Sequence, residues 1–263
     1  MGGVQALVNR IFLLLLLLCI LLPTTLRSEE SPKVVHVFVA LCDNEHQGIA
    51  KVPARIGNGD DPASNLYWGC SDGMKLYFKN SDRWTLKKSV ERPGGADSVI
   101  LERCVFLHVS GKMVVVADAY RGREMKSCLD DLYAAIAASG EPVECEGHSI
   151  GGGADLIAFI GHNGLMEHDI QVPRTKRVAP VPVVVLGCVT QLLFAPDLEA
   201  MKGDPLLLTD SLMYPGSFLL HDLLEGWILG EDKASLRLRA AKAYAKNQKI
   251  SVKSASGVFS TLE

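Results

Sequence analysis

The sequence predicts an α/β fold with an open, mainly parallel sheet and flanking helices. Short apolar runs rich in β-branched residues recur along the chain, segments with helical periodicity separate them, and glycine or polar residues follow each run directly. Runs that are apolar on both faces are typical of strands in a parallel sheet that helices cover on both sides. The runs are residues 34–41, 114–118, 155–160 and 181–186.

The composition excludes several classes of protein. The 263 residues contain 27 Lys and Arg against 30 Asp and Glu, which gives a formal net charge of −3. A nucleic-acid-binding protein would need a basic surface, so nucleic acid is not an expected partner. With 48% hydrophobic residues, the chain can bury one sizeable core and is not expected to be disordered.

Residues 1–28 have the pattern of a secretory signal peptide. Arg10 precedes an unbroken apolar run at residues 11–22, and Pro23 closes that run. Since a membrane-spanning helix needs about 20 apolar residues, we expect a cleaved signal, an exported protein and no membrane span in the mature chain. An uncleaved anchor is the alternative.

The chain contains seven cysteines, of which six follow the predicted signal. In an exported protein some of these six could form disulfides, and the sequence leaves their connectivity open. None has the Cys-x-x-Cys spacing that is typical of zinc sites and thioredoxin-like redox sites.

The elements follow in order along the chain. The strand at 34–41 leads into a long loop rich in Gly, Asn, Asp and Pro, a length that usually indicates function. Two apolar runs separated by Gly111 indicate a hairpin, and a stripe of apolar residues predicts the following helix. The predicted segments are a loop at 43–63, a helix from Ser64 or Asn65 to about 79, a polar linker at 80–98, strands at 98–110 and 112–118, and a helix at 122–138.

The second half continues the alternation of strands and helices, which indicates parallel pairing. Strands are expected at 155–160 and 181–186, and helices at about 190–202, 215–229 and 231–247. We therefore expect one α/β domain over about residues 30–250 and a short tail at 251–263.

A histidine and a cysteine follow two consecutive predicted strands. Gly161-His162 ends the strand at 155–160, and Gly187-Cys188 ends the strand at 181–186. Ligands bind at the carboxyl ends of parallel strands, and neighbouring strands lie about 4.8 Å apart. If the two strands pair, His162 and Cys188 face one crevice.

This pair of residues suits acyl transfer. A thiol is a weak nucleophile at neutral pH, and a neighbouring imidazole can accept its proton and later protonate the leaving group. Glycines at 161, 164 and 187 allow sharp turns, and a backbone N–H of Gly164 or Cys188 could stabilise an oxyanion.

At these residues the chain resembles the caspase-like cysteine peptidases, the group of caspases, metacaspases, legumains, gingipains and clostripain. Their pattern is a hydrophobic block, His-Gly, a spacer, a second hydrophobic block and Cys. The motif itself is specific only over residues 155–190. Over about residues 34–230 the resemblance is limited to the order of the predicted strands. Here Asn163 separates His162 from Gly164, and Gly187 takes the place of a usual Ala or Ser.

The resemblance implies a role for each site residue. Cys188 would be the nucleophile and His162 the catalytic histidine, acting on a peptide or protein substrate without a metal or other cofactor. The end of the first strand would line the pocket for the substrate's P1 side chain, which corresponds here to Asp43, Asn44 and Glu45. An acid in that pocket would favour Arg or Lys at P1.

Three other interpretations stay open. The domain could be catalytically silent and bind a peptide or partner, with Cys188 as a buried hydrophobe. Residues 147–151 match the G-x-S-x-G motif of esterases, with Ser149 as nucleophile and His221-Asp222 as a possible base. His162, His168 and Asp169 could form a metal site, although no paired-histidine motif supports one.

Overall fold

A seven-stranded, mostly parallel sheet forms the centre of the protein, with the strand order β2-β3-β4-β1-β7-β8-β9. The computed structural model describes Gly3, residues 31–141 and residues 143–262. Strands β4, β1, β7, β8 and β9 are parallel, whereas β2 and β3 join the edge beside β4 in antiparallel fashion. The strands are β1 (Lys33–Ala40), β2 (Trp84–Glu91), β3 (Ile100–His108), β4 (Met113–Tyr120), β5 (Val143–Cys145), β6 (His148–Ile150), β7 (Leu156–Ile160), β8 (Val181–Leu186) and β9 (Gly203–Leu207).

Helices cover both faces of this sheet. Along β1, Val35 and Val37 point to one core and Val34 and Phe38 to the other, as the two-residue repeat of a strand requires. Helices α2 and α3 pack on the second of these cores, and the other four helices pack on the first. The helices are α1 (Met74–Lys79), α2 (Met125–Ile136), α3 (Thr190–Met201), α4 (Phe218–Trp227), α5 (Lys233–Gln248) and α6 (Val252–Ser256).

The open α/β fold predicted from the sequence is confirmed. All four apolar runs are strands of the large sheet, and the two runs around Gly111 form the antiparallel pair β3–β4. The helices predicted after residues 122, 190, 215 and 231 are α2, α3, α4 and α5, with ends within a few residues of the expected ones.

Two predictions between residues 64 and 98 are wrong. The helix expected from Ser64 or Asn65 forms only at Met74–Lys79. The Asn65 side chain instead bonds the backbone of Cys42 and Tyr67, and such local bonds compete with helix formation. The expected linker at 80–98 contains β2, an edge strand whose exposed charged residues hide the strand pattern.

The carboxyl-terminal half contains further structure that the apolar pattern does not reveal. Strand β9 is a five-residue edge strand that contains Pro205, and an apolar pattern does not predict such a strand. The predicted tail carries α6 and then Phe259, which is 1% exposed and bridges to Thr209.

The amino-terminal prediction lies almost entirely outside the described residues. Of the predicted signal at 1–28, the structure describes only Gly3. Within the described part of the chain, no helix has both the length and the apolar character needed to cross a membrane.

A buried charge network connects the central strands. Asp118 of β4 is fully buried and accepts two hydrogen bonds from the Arg103 guanidinium of β3, at 2.6 and 2.7 Å. Its Oδ2 also lies 3.0 Å from Nε2 of His36 on β1, and Nδ1 of His36 accepts a bond from the Gly151 N–H. The network therefore ties three strands and the 151–153 turn into one unit.

Substitution of Arg103 by Met should destabilise the protein strongly. Removing one partner of a buried ion pair leaves the other charge unpaired, which costs about 3 kcal/mol or more. We expect that loss in the free energy of unfolding of R103M, measured by urea denaturation. K88M breaks an exposed pair with Glu146 and should leave the urea midpoint unchanged; equal midpoints for R103M and wild type would contradict the assignment.

Acid should unfold the protein in part through Asp118. Burial alone would raise the pKa of this carboxyl, but hydrogen bonds from Arg103 and His36 outweigh burial and hold it below its ordinary value of 3.8. The stabilisation is therefore complete above that value and is lost as the pH falls below it. Urea midpoints measured from neutral pH downward should fall more steeply in wild type than in R103M, and parallel curves would exclude this role.

Candidate functional site

The pairing register of β7 with β8 sets the positions of His162 and Cys188. Ile157 pairs with Val183 and Ile160 with Leu186, a constant offset of 186 − 160 = 26 residues. Two residues further on, the same offset matches His162 with Cys188. Strand β7 also borders β1, where the order of the parallel strands reverses, and such a switch point is where ligands bind in open α/β sheets.

The two chain segments stay joined beyond the last paired residues. The Gly161 N–H donates to the Leu186 carbonyl at 3.1 Å, and Asn163 Nδ2 donates to the Cys188 carbonyl at 2.7 Å. A Cβ on Gly187 would lie only 3.1 Å from the Gly161 carbonyl oxygen, so the segments approach closely there. Asn163 is the residue that departs from the His-Gly pattern. Its side chain links the turn after His162 to the backbone of Cys188.

His162 is held in one orientation by an acid that the sequence analysis did not identify. The ring is 6% exposed, and its Nε2 lies 2.8 and 2.9 Å from the two carboxylate oxygens of Glu167. Because an ionised carboxylate only accepts hydrogen bonds, the neutral form of this ring carries its proton on Nε2 and its lone pair on Nδ1. Within the described residues Nδ1 has no hydrogen-bond partner, so it is the nitrogen left to act as a base.

Glu167 sits against the loop that follows β1. A Cβ on Gly48 would lie 2.4 Å from Glu167 Oε1, so a larger residue there would displace this carboxylate from its present position. Sequence reasoning missed Glu167 because its position, five residues after His162, depends on the short 3₁₀ turn at Gly164–Met166. No periodic pattern marks such a turn.

Cys188 is a partly exposed residue, and its sulfur contacts the backbone of Met213. It lies 3.6 Å from the Met213 carbonyl oxygen, to which the thiol donates, and it accepts from the Met213 N–H at 3.4 Å. His162 and Cys188 form no hydrogen bond with each other in the described structure. The strand ends thus bring the two residues into register, while each side chain has a different immediate partner.

The turn after Cys188 is strained. Val189 has φ +47° and ψ +42°, a left-handed conformation that β-branched residues rarely adopt. The surrounding structure enforces it, because the Val189 N–H donates to Ser211 and the Thr209 hydroxyl donates to the Gly187 carbonyl. Strain of this kind concentrates at functional sites and fixes a side chain at the junction of a strand and a helix.

Two buried residues, Tyr67 and Cys42, lie near Cys188. Burial raises the pKa of the Tyr67 phenol, and the nearby Cys42 and Cys188 thiols raise it further. Burial also raises the pKa of Cys42 to about 11, against a lowering hydrogen bond from Tyr67. Both groups are therefore neutral at physiological pH, so Tyr67 and Cys42 add no charge to the site.

The remaining cysteines are poor nucleophiles. All six cysteines in the described residues are free thiols. Burial raises the pKa of Cys104 to about 12 and that of Cys128 well above its ordinary value. It also raises the pKa of the less buried Cys70 and Cys145.

The residues predicted to line a substrate pocket bound a cavity of about 300 Å³, together with His46 and residues 57–60. Asp43 is buried and already accepts from the backbone of Glu45 and His46 and from the His46 ring. Asn44 pairs with the backbone of Val52 through both side-chain atoms. Asp43 and Asn44 therefore shape the loop, and Glu45 is the one of the three with an exposed side chain.

Three backbone N–H groups at the ends of β7 and β8 have no protein acceptor in the part of the chain that the structure describes. Within the described residues, the N–H groups of Gly164, Gly187 and Cys188 donate to no protein acceptor. They lie at the ends of β7 and β8, where the strand ladder no longer uses them. Two of them, those of Gly164 and Cys188, are the ones for which the sequence analysis expects an oxyanion role, and that role stays a prediction.

Neither of the other chemistries gains support from the geometry. Ser149 lies in β6 of a small hairpin, with Gly147 in its turn, whereas a nucleophile elbow joins a buried strand to a helix. His221 is bonded to Ser81 instead of Ser149. In the described part of the chain, no three His, Cys, Asp or Glu side chains group to hold a metal ion.

Gly164 should be required for the packing of the His162 turn. A Cβ at this position would lie 2.3 Å from Met125 Cγ and 3.1 Å from Leu129 Cδ1 of helix α2. We expect G164A to lower the free energy of unfolding by about 1–3 kcal/mol, the usual cost of overpacking. Gly140, where a Cβ would have its nearest neighbour at 3.8 Å, is the matched control; thermal midpoints of G164A and G140A that coincide would refute this packing.

The site thus combines an oriented imidazole, a thiol in register with it and unused backbone donors. Comparisons with known proteins add no independent assignment: no family model, curated protein or solved structure matches this chain. The caspase-like character expected from residues 155–190 therefore stays a prediction that depends on the residues themselves.

Proposed function

We propose that this protein is a cysteine peptidase of caspase-like type that hydrolyses peptide bonds with Cys188 as nucleophile and His162 as base. One observation carries the proposal: the Glu167 carboxylate lies 2.8 Å from Nε2 of His162, the residue in register with Cys188. In the neutral ring this contact holds the proton on Nε2 and leaves the lone pair on Nδ1. A histidine oriented by a carboxylate beside a nucleophile is the arrangement that covalent acyl transfer requires.

The reaction would begin with a rotation of the Cys188 side chain. In the resting arrangement the thiol donates to the Met213 carbonyl. Rotation about the Cα–Cβ bond releases that contact and turns the thiol toward His162. The thiol proton then passes to Nδ1 of His162. The thiolate then attacks the peptide carbonyl, the C–N bond breaks, and His162 returns the proton to the leaving amine. Water, activated by His162, attacks the resulting thioester, the C–S bond breaks, and the carboxylic acid leaves as the Cys188 thiol regains its proton.

Stabilisation of the intermediate would come from the backbone. The negative charge on the substrate carbonyl oxygen needs N–H donors that are already in place. The unused N–H groups of Gly164 and Cys188 are the candidates. Glu167, paired with the ring, would stabilise the imidazolium that forms during the reaction.

We also propose that the protein is exported, on the strength of the signal-like pattern at residues 1–28. The cavity beside Glu45 is the candidate pocket for the substrate side chain next to the scissile bond. No cofactor enters this chemistry, since the thiol and the imidazole supply both the nucleophile and the proton transfer.

Alkylation by iodoacetamide at neutral pH tests the proposal. Cys188 should react at least about 100-fold more slowly in H162A than in wild type, within the range of general-base effects. E167Q should slow the reaction to a smaller extent, because the ring keeps its place but loses its fixed tautomer. Cys70, a partly exposed thiol whose pKa burial raises, is the internal reference, and mass spectrometry of the digested protein gives both rates.

Two results would overturn the proposal. One is a Cys188 alkylation rate no greater than that of Cys70, and the other is a Cys188 rate that H162A and E167Q both leave unchanged. Either result would favour a catalytically silent domain that binds a peptide or partner. With casein or a mixed fluorogenic peptide library as substrate, hydrolysis should be present in wild type and absent in C188A.

A further inference from the structure

A second histidine links a serine hydroxyl to a carboxylate at the other end of the sheet. His221 Nε2 lies 2.8 Å from the Ser81 hydroxyl, and His221 Nδ1 lies 2.9 Å from the Asp222 carboxylate. Ser81 precedes β2, whose first residue, Trp84, pairs with the end of β3. Because β3 is antiparallel to β4, this cluster lies at the amino ends of the parallel strands, away from Cys188.

The direction of each hydrogen bond follows from the chemistry of the groups. The Asp222 carboxylate only accepts, so the neutral form of the His221 ring carries its proton on Nδ1 and offers a lone pair on Nε2. The Arg83 N–H donates to the Ser81 oxygen at 3.0 Å. The Ser81 hydroxyl proton is therefore free to point at Nε2, which is the arrangement of an activated serine.

The His221 ring has little freedom to turn away. Its side chain is 11% exposed, and the Tyr77 and Phe78 rings meet it edge-on with centroids 5.3 and 5.4 Å distant. Ser81 itself is half-buried at the turn between α1 and β2. A rigid base next to the hydroxyl of a partly exposed serine permits attack on a small molecule.

A neighbouring cluster provides an internal comparison. His108 also lies between a serine and an acid, with Ser110 at 2.7 Å and Glu225 at 3.1 Å. There the Ser110 backbone N–H already donates to His108 Nδ1, and Arg83 pairs with Glu225. The base and the acid of this cluster are therefore both engaged, whereas His221 Nε2 has only the Ser81 hydroxyl as its partner among the described residues.

We propose that Ser81, His221 and Asp222 form a second catalytic site that hydrolyses small carboxylic esters. Ser81 Oγ forms a bond to the ester carbonyl carbon while its proton passes to His221 Nε2. The bond from that carbon to the alkoxy oxygen breaks, and His221 protonates the leaving alcohol. Water then attacks the acyl-serine by the same route, which regenerates Ser81 and releases the acid.

The substrate class follows from the surroundings. In the described structure the Asp82 backbone N–H, next to Ser81, donates to no protein acceptor and is available to the oxyanion. The half-buried Tyr77 offers an apolar surface for a short acyl chain, while the leaving alcohol stays in solvent. Small, uncharged esters therefore fit better than peptides, which would need an extended cleft.

The test uses a fluorophosphonate probe and p-nitrophenyl acetate on the C188A protein, so that the proposed peptidase site cannot contribute. We expect the probe to label Ser81, and D222N to slow both labelling and hydrolysis by about 100-fold. Asp222 is 43% exposed, so D222N leaves the packing intact. S81A should abolish labelling, and S110A is the matched control that should change neither readout.

The proposal fails if Ser81 of the folded C188A protein is not labelled. It also fails if Ser81 and Ser110 are labelled equally, or if D222N reacts as fast as its parent. None of these results bears on Cys188, since the nucleophile of the peptidase proposal is absent from every protein compared.

Discussion

The parallel pairing of β7 with β8 is the constraint on which the candidate site depends. A shift of one residue in this register would turn every side chain of one strand to the opposite face and would separate His162 from Cys188. The register is fixed because both strands are buried on both faces and because Gly161 and Gly187 let the chains stay close at their ends. Asn163 then extends the connection beyond the ladder through its bond to the Cys188 carbonyl.

Two further networks hold the elements around that pair. On one side, the buried Asp118 binds Arg103 and His36 and so joins the antiparallel edge to the central strand. On the other, Thr209 bonds to Gly187, and Val189 bonds to Ser211. The second network supports a left-handed valine that the turn would not adopt unaided. The orientation of the Cys188 side chain therefore depends on residues more than 20 positions later in the chain.

The fold could be predicted from the sequence where burial dictated the pattern. The apolar runs that form β1, β4, β7 and β8 could be recognised in the sequence because these strands are buried on both faces. His162 follows the end of β7, and Cys188 follows the end of β8. Strands β2 and β9 are edge strands with exposed or proline-containing sequences, so their patterns resemble loops. Glu167 could not be found because its contact with His162 depends on a 3₁₀ turn and on the space above Gly48.

The proposed chemistry requires that Nδ1 of His162 is unprotonated and within reach of the Cys188 thiol. Nitrogen-15 NMR of histidine-labelled protein measures the protonation of each ring nitrogen directly, and H162N assigns the signals. We expect a proton on Nε2, an unprotonated Nδ1, and a shift of the Nδ1 signal when Cys188 is alkylated. A proton on Nδ1 in the unmodified protein, or an Nδ1 signal that alkylation of Cys188 leaves in place, would contradict it.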